Sequence, residues 1–142
     1  MPTTQAEFLP FPPLTTSELN QLSPAALAYL GDAVYELYVR RHFLTPAKRP
    51  QIYHHVVVSQ VRAERQAAHL QDLMPHLIPE EVEWIKRGRN AAKLRSRRMD
   101  LALYQQATGL ETLIGFLYLT DAQRLIQLLA YLNLDTCSDR ST

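Results

Sequence analysis

Apolar positions recur every three or four residues through most of this chain, the period of helices that bury one stripe. The clearest case opens with Ser23 and Pro24, a good N-cap and a first-turn proline. It continues through Leu27, Leu30, Val34, Leu37 and Arg41, which predicts a helix over about 24–43 with the four aliphatic residues facing the core. Pro46 and Pro50 punctuate a linker. From Ile52 to about Leu70, Val and Ala hold the helical spacing; Val56-Val57-Val58 alone fits a strand, and the length decides for one long helix. A short segment from Asp72 to Ile78 precedes a compact helix from Pro79, with acids at its start, basic residues at its end and Gly88 as C-cap. Arg89 to Gln106 lacks clean periodicity and reads mostly as loop or broken helix, long enough to suggest a role of its own. Thr108-Gly109-Leu110-Glu111 then opens a helix with Leu110, Leu113, Ile114 and Leu117 on one face, and Asp121 caps a last helix through Leu132. No strand or hairpin pattern emerges. The expected architecture is all-α: a Pro-rich arm over 1–15, one domain over 16–134 and a polar tail over 135–142.

At 142 residues the chain can bury about 70% of its unfolded surface and needs no staple. The single Cys137 excludes an internal disulfide framework and a cysteine-based zinc site. The first basic residue is Arg40, so no signal peptide is expected, and apolar runs such as Leu113–Leu119 fall far below the roughly 20 residues of a membrane span. The expected location is the cytoplasm, with no membrane partner. Net charge is +1, but Lys86, Arg87, Arg89, Lys93, Arg95, Arg97 and Arg98 form an acid-free strip carrying +7, which leaves −6 on the rest of the chain. Arg62 and Arg65, one turn apart, read as solvated partners of Glu64 and Asp72.

One helix contains an acid that apolar packing does not explain. Ala28, Asp32 and Glu36 follow at four-residue steps and share a stripe rotated away from the leucine face, which places Asp32 at a cleft edge. Gly31 beside it costs about 1 kcal/mol in a helix relative to alanine, so something is expected to approach the backbone there. Glu111 has an ordinary reading of its own, a capping box with Thr108. His54 and His55 are adjacent and hence on different helix faces; no HExxH or His/Cys ligand spacing occurs.

Tyr29-Leu30-Gly31-Asp32-Ala33 resembles the signature helix of the ribonuclease III endonuclease domain. Glu111-Thr112-Leu113-Ile114-Gly115 is similar to that family's Glu-Ala-Leu-Ile-Gly helix, and Lys86-Arg87-Gly88-Arg89-Asn90-Ala91 resembles a segment of its short Mini-ribonuclease III branch, which lacks a separate double-stranded RNA-binding domain. The likeness spans roughly Leu22 to Leu132. It implies a ribonuclease III-like helical bundle acting as a homodimer, with Tyr29 inserted into the partner subunit. It implies a Mg²⁺ site on Asp32 and Glu111 that cleaves double-stranded RNA to 5′-phosphate and 3′-hydroxyl ends. Arg87, Arg89, Asn90, Lys93, Arg95, Arg97 and Arg98 become candidates for gripping A-form RNA. The implied substrate is a large-subunit (23S) ribosomal RNA precursor, with a ribosomal protein as candidate helper. The chain departs from the full family pattern where a glutamate would precede Asp32 by four residues and an aspartate would precede Glu111 by three: it has Ala28 and Thr108. That reduced acidic set keeps a second reading open, a catalytically silent module for RNA binding or ribosome assembly.

Overall fold

The computed structural model describes residues 9–92 and 100–134. Within them lie helices α1 (Thr16–Asn20), α2 (Pro24–Phe43), α3 (Pro50–Gln60), α4 (Ala63–Leu73), α5 (Pro79–Ala91), α6 (Leu101–Thr120) and α7 (Ala122–Leu129), with a 3₁₀ turn at Met74–His76 and no strand. The all-α expectation holds. Helix α6 is the axis of the domain, packed by α2, α4 and α5, with α7 folded back at its end. Leu110 and Leu113 of α6 and Tyr35 and Val39 of α2 have no exposed surface; burying each such side chain contributes about 1.5–3 kcal/mol.

Local signals set several boundaries. Ser23 accepts from the Ala26 N–H and Asp121 from the Arg124 N–H, so both predicted N-caps form. Elsewhere tertiary partners decide. The long helix expected over 52–70 is two helices, because the chain turns extended at Arg62. The Gln60 and Val61 carbonyls, left by that break without helical partners, accept from the Tyr35 hydroxyl at 3.1 Å and from Gln66 Nε2 at 3.1 Å. The break lets Val56 and Val57 of α3 and Ala67, Leu70 and Leu73 of α4 reach one core. Gly88 is not a C-cap: α5 continues to Ala91. Helix α6 starts seven residues before Thr108, under an Asp100 cap that accepts from the Ala102 and Leu103 N–H groups. Thr108 is therefore inside the helix, where its hydroxyl donates to the Tyr104 carbonyl at 3.0 Å, and the expected capping box with Glu111 does not form.

The core face of α2 also differs from the predicted leucine stripe. Leu27, Ala28, Gly31, Tyr35, Val39 and Phe43 are buried, whereas Leu30 and Val34 are half-buried and Leu37 is 62% exposed. The reason is glycine. A Cβ on Gly31 would stand 1.8 Å from the Glu111 carbonyl oxygen, and one on Gly115 would stand 2.0 Å from the Leu27 carbonyl oxygen. Two bare backbones lie against each other here, and this contact selects the face of α2 that turns inward. Across α6, a Cβ on Gly88 would stand 2.2 Å from Thr112 Oγ1, so α5 is clamped the same way. Farther off, the buried Glu81 receives Arg124 Nε at 2.8 Å while Arg124 Nη2 donates to the His76 carbonyl at 2.7 Å, tying α7 to the start of α5. That guanidinium holds the Glu81 carboxyl below the usual carboxylate range.

Candidate active site

The glycine contact brings Asp32 and Glu111 together. Gly31 sits against the backbone of Glu111, and the next residue of α2, Asp32, is near enough for its carboxyl to act on that of Glu111 by hydrogen bonding and by charge. Asp32 is exposed and Glu111 half-buried. Burial pushes the Glu111 carboxyl up to about 8, the hydrogen bond and negative charge of Asp32 add to the rise, and an amide hydrogen bond from Gln66 works against it. The two predicted acids, 79 positions apart in sequence, thus form one site at the edge of the α2–α6 contact.

Asp32 opens onto a shallow depression lined by Tyr29, Ala33, Glu36, Leu37 and Arg40, in which Arg40 pairs with Glu36. Tyr29 is 85% exposed and stands outside the core. Beside it, Leu30, Val34, Leu37, Tyr38, Leu125, Ile126 and Leu129 line an apolar groove. On the other side of α6, the last turn of α5 presents Arg87, Arg89 and Asn90 to solvent. The Arg87 guanidinium lies 4.6 Å from the centre of the Trp84 ring, which itself stacks on Phe116. Lys93, Arg95, Arg97 and Arg98 lie outside the described residues, as do Cys137 and the rest of the polar tail. Arg65 corrects an expectation: its Nη2 donates to the Asn133 carbonyl at 3.0 Å and lies 3.4 Å from Gln60 Oε1 and His69 Nε2, an inward cluster in place of solvated carboxylate pairing.

Residues 25–122 match the ribonuclease III domain family. The chain belongs to the ribonuclease III family. Curated relatives named Mini-ribonuclease 3 include one from Synechocystis, 54% identical over 128 residues and covering 90% of both chains, and one from Synechococcus, 56% identical over 119 residues and covering 84% of this chain and 86% of its own. The crystal structure of a Fusobacterium nucleatum protein superposes with a TM-score of 0.71 at 28% identity, over 78% of this chain and 92% of that one. As a member of the ribonuclease III family the chain is an endoribonuclease.

The site tests well as a place for a divalent cation. Burial, and then the neighbouring Asp32, hold the Glu111 carboxyl far above its ordinary pKa, and a cation bound by the two carboxylates would offset both effects. Magnesium commonly takes only one or two protein carboxylates and fills its other positions with water and substrate phosphate oxygens. Ala28 and Thr108, where the fuller family pattern carries acids, are only 7% and 9% exposed and bring no carboxylate. Among the described residues no cluster of three or more His, Cys, Asp or Glu side chains has metal-holding geometry. Sequence reasoning missed one polar residue of this site, Gln66. Its signal was available: Gln66 occupies the apolar stripe of α4 with Ala67, Leu70 and Leu73, where a polar side chain needs a partner.

Proposed function

We propose that this ribonuclease III family member is a Mg²⁺-dependent endonuclease for double-stranded RNA, with Asp32 and Glu111 holding the cation. The observation that carries the reading is the facing pair itself, one exposed and one half-buried carboxylate brought together by the Gly31 contact. The half-buried Glu111 and the exposed Asp32 would hold the cation between them, with Asp32 on the solvent side of the pair. Between these carboxylates a divalent cation would supply a more acidic water and would offset charge on the departing 3′ oxygen. The oxygen of water adds to phosphorus as the P–O3′ bond breaks and one proton of that water ends on the 3′ oxygen, leaving 5′-phosphate and 3′-hydroxyl ends.

The exposed Tyr29 and Leu37 and the apolar groove beside them support a homodimer through this face of α2, which sets two sites on a twofold axis so that each cuts one strand. Arg87, Arg89 and Asn90, with Lys93, Arg95, Arg97 and Arg98, supply the grip on duplex phosphates. The names of the relatives and the family favour structured RNA as substrate, and a large-subunit (23S) ribosomal precursor in the cytoplasm is our specific proposal. Among the described residues no helix is long and apolar enough to cross a membrane. The test is cleavage of an end-labelled precursor duplex in Mg²⁺ and in chelator, with the product termini analysed. Metal-dependent cuts leaving 5′-phosphates on both strands support the reading; tight binding without cuts selects the silent module. A ribosomal-protein helper would show itself as faster cutting of the same RNA once that protein is bound.

A further inference from the structure

The site has a third polar member that the acid motifs do not include. Gln66 lies on α4, 4% exposed, and its amide faces two groups: Nε2 donates to the Val61 carbonyl at 3.1 Å, and the amide is near enough to the Glu111 carboxyl to pull its pKa down as a hydrogen-bond donor. With the donor side engaged, Gln66 Oε1 is a buried acceptor with no hydrogen-bond partner. A buried acceptor without a partner is destabilising, so it is retained where something else requires the amide to point this way. The α3–α4 break explains the geometry. It frees the Val61 carbonyl, which anchors the Gln66 amide and fixes its orientation, because turning the amide over would set Oε1 against that carbonyl oxygen. One amide proton remains available to Glu111.

We propose that Gln66 is the positioning residue of this site: anchored on the Val61 carbonyl, it holds the Glu111 carboxylate in the one orientation that meets Asp32 across a divalent cation. The proposal rests on the reading of Asp32 and Glu111 as the cation pair. It assigns to α4, which contributes no acid to the site, control over how well that pair is formed. A ligand carboxylate left without its hydrogen-bonding partner rotates, so the loss should appear in cation affinity and turnover and spare RNA binding.

The test uses the full chain with Gln66→Met, which keeps length and volume and removes the amide. Mn²⁺ affinity is measured on the RNA-free protein by titration calorimetry, and kcat and KM on a defined duplex. Expected are a loss of about tenfold or more in Mn²⁺ affinity and in kcat with KM within about twofold, and no further loss of Mn²⁺ affinity when Gln66→Met is added to Glu111→Gln. Unchanged kcat and Mn²⁺ affinity overturn the proposal, as does a loss that simply adds to that of Glu111→Gln. Should Gln66→Met fail to fold, the side-chain amide resonances of Gln66 in the unsubstituted protein decide: they must move on Mg²⁺ addition and with Glu111→Gln, and stationary signals overturn the proposal. Asp32→Asn serves as the separate control. If that variant cuts at the wild-type rate, the reading of the acid pair itself is wrong; if it is dead while Gln66→Met is fully active, only the role of Gln66 falls.

Discussion

Glu111 is where burial, like charge and backbone packing converge. Its carboxyl is raised by burial first and by Asp32 second, so the cation-free folded state takes up a proton near pH 8 that the unfolded chain has already released. The sign follows: between the ordinary carboxylate range and about 8 the folded protein binds more protons than the unfolded one, so stability contributed by this group is present at low pH and lost as pH rises through about 8. Denaturant melts in chelator at about pH 5, 7 and 9 should therefore show stability falling with pH more steeply in wild type than in Glu111→Gln. Mg²⁺ should remove most of that difference by stabilising the doubly ionised pair. Parallel curves for the two proteins would mean that Glu111 is not the coupled group.

The glycine contact between α2 and α6 is the element-scale feature on which the site depends. Gly31→Ala would drive a methyl group into the Glu111 carbonyl oxygen, and neither partner is a flexible side-chain end that can move aside. The helices would have to separate, at a cost of about 1–3 kcal/mol or more, with the two carboxylates moved apart. Thermal melts should register that loss, and cleavage should fall by more than the remaining folded fraction explains; wild-type stability and activity would show the contact to be looser than described.

The same element shows what the sequence could reveal. Ser23 and Pro24 announced α2, and Gly31 announced a close approach, because both messages are local. Which face of α2 turns inward was not local: the leucine stripe and the glycine stripe are both apolar, and the choice was made by Gly115 on another helix. The α3–α4 break was likewise hidden, since the groups that satisfy its carbonyls, Tyr35 and Gln66, are a helix away in space or a turn ahead in sequence. Asp100 and the first turns of α6 went unseen because their residues are half-exposed and give no clean stripe. Of the site, the two acids were legible from their family motifs; the amide that holds one of them was not, because glutamine on an apolar stripe names no chemistry by itself.

At the scale of the whole molecule, the leucines that lost the contest for the core of α2 gain a use. Leu37 and Tyr29 stand in solvent beside the acid pair, and in the dimer proposed here they are covered by the same face of a second subunit. Leu37→Glu should leave the fold of each protomer intact, because the side chain is 62% exposed, yet convert the protein to monomers in sedimentation and remove paired cuts on the two strands. A dimer that survives this change would move the interface elsewhere. The basic strip makes a separate prediction: log affinity for duplex RNA should fall with log salt by about 0.9 per phosphate contact, and neutralising Arg87, Arg89 and Lys93 should flatten the slope.

In the function proposed here Asp32 and Glu111 jointly hold the cation on which RNA cleavage depends. The single-turnover cleavage rate of a precursor duplex by wild type, Asp32→Asn, Glu111→Gln and the double variant in Mg²⁺, with duplex affinity measured in parallel, tests it. Each single substitution should lower the rate by about 10²-fold or more, the double variant should be hardly slower than either, and duplex affinity should change little. Cutting by Glu111→Gln at the wild-type rate, or losses in the two singles that multiply in the double, would contradict it.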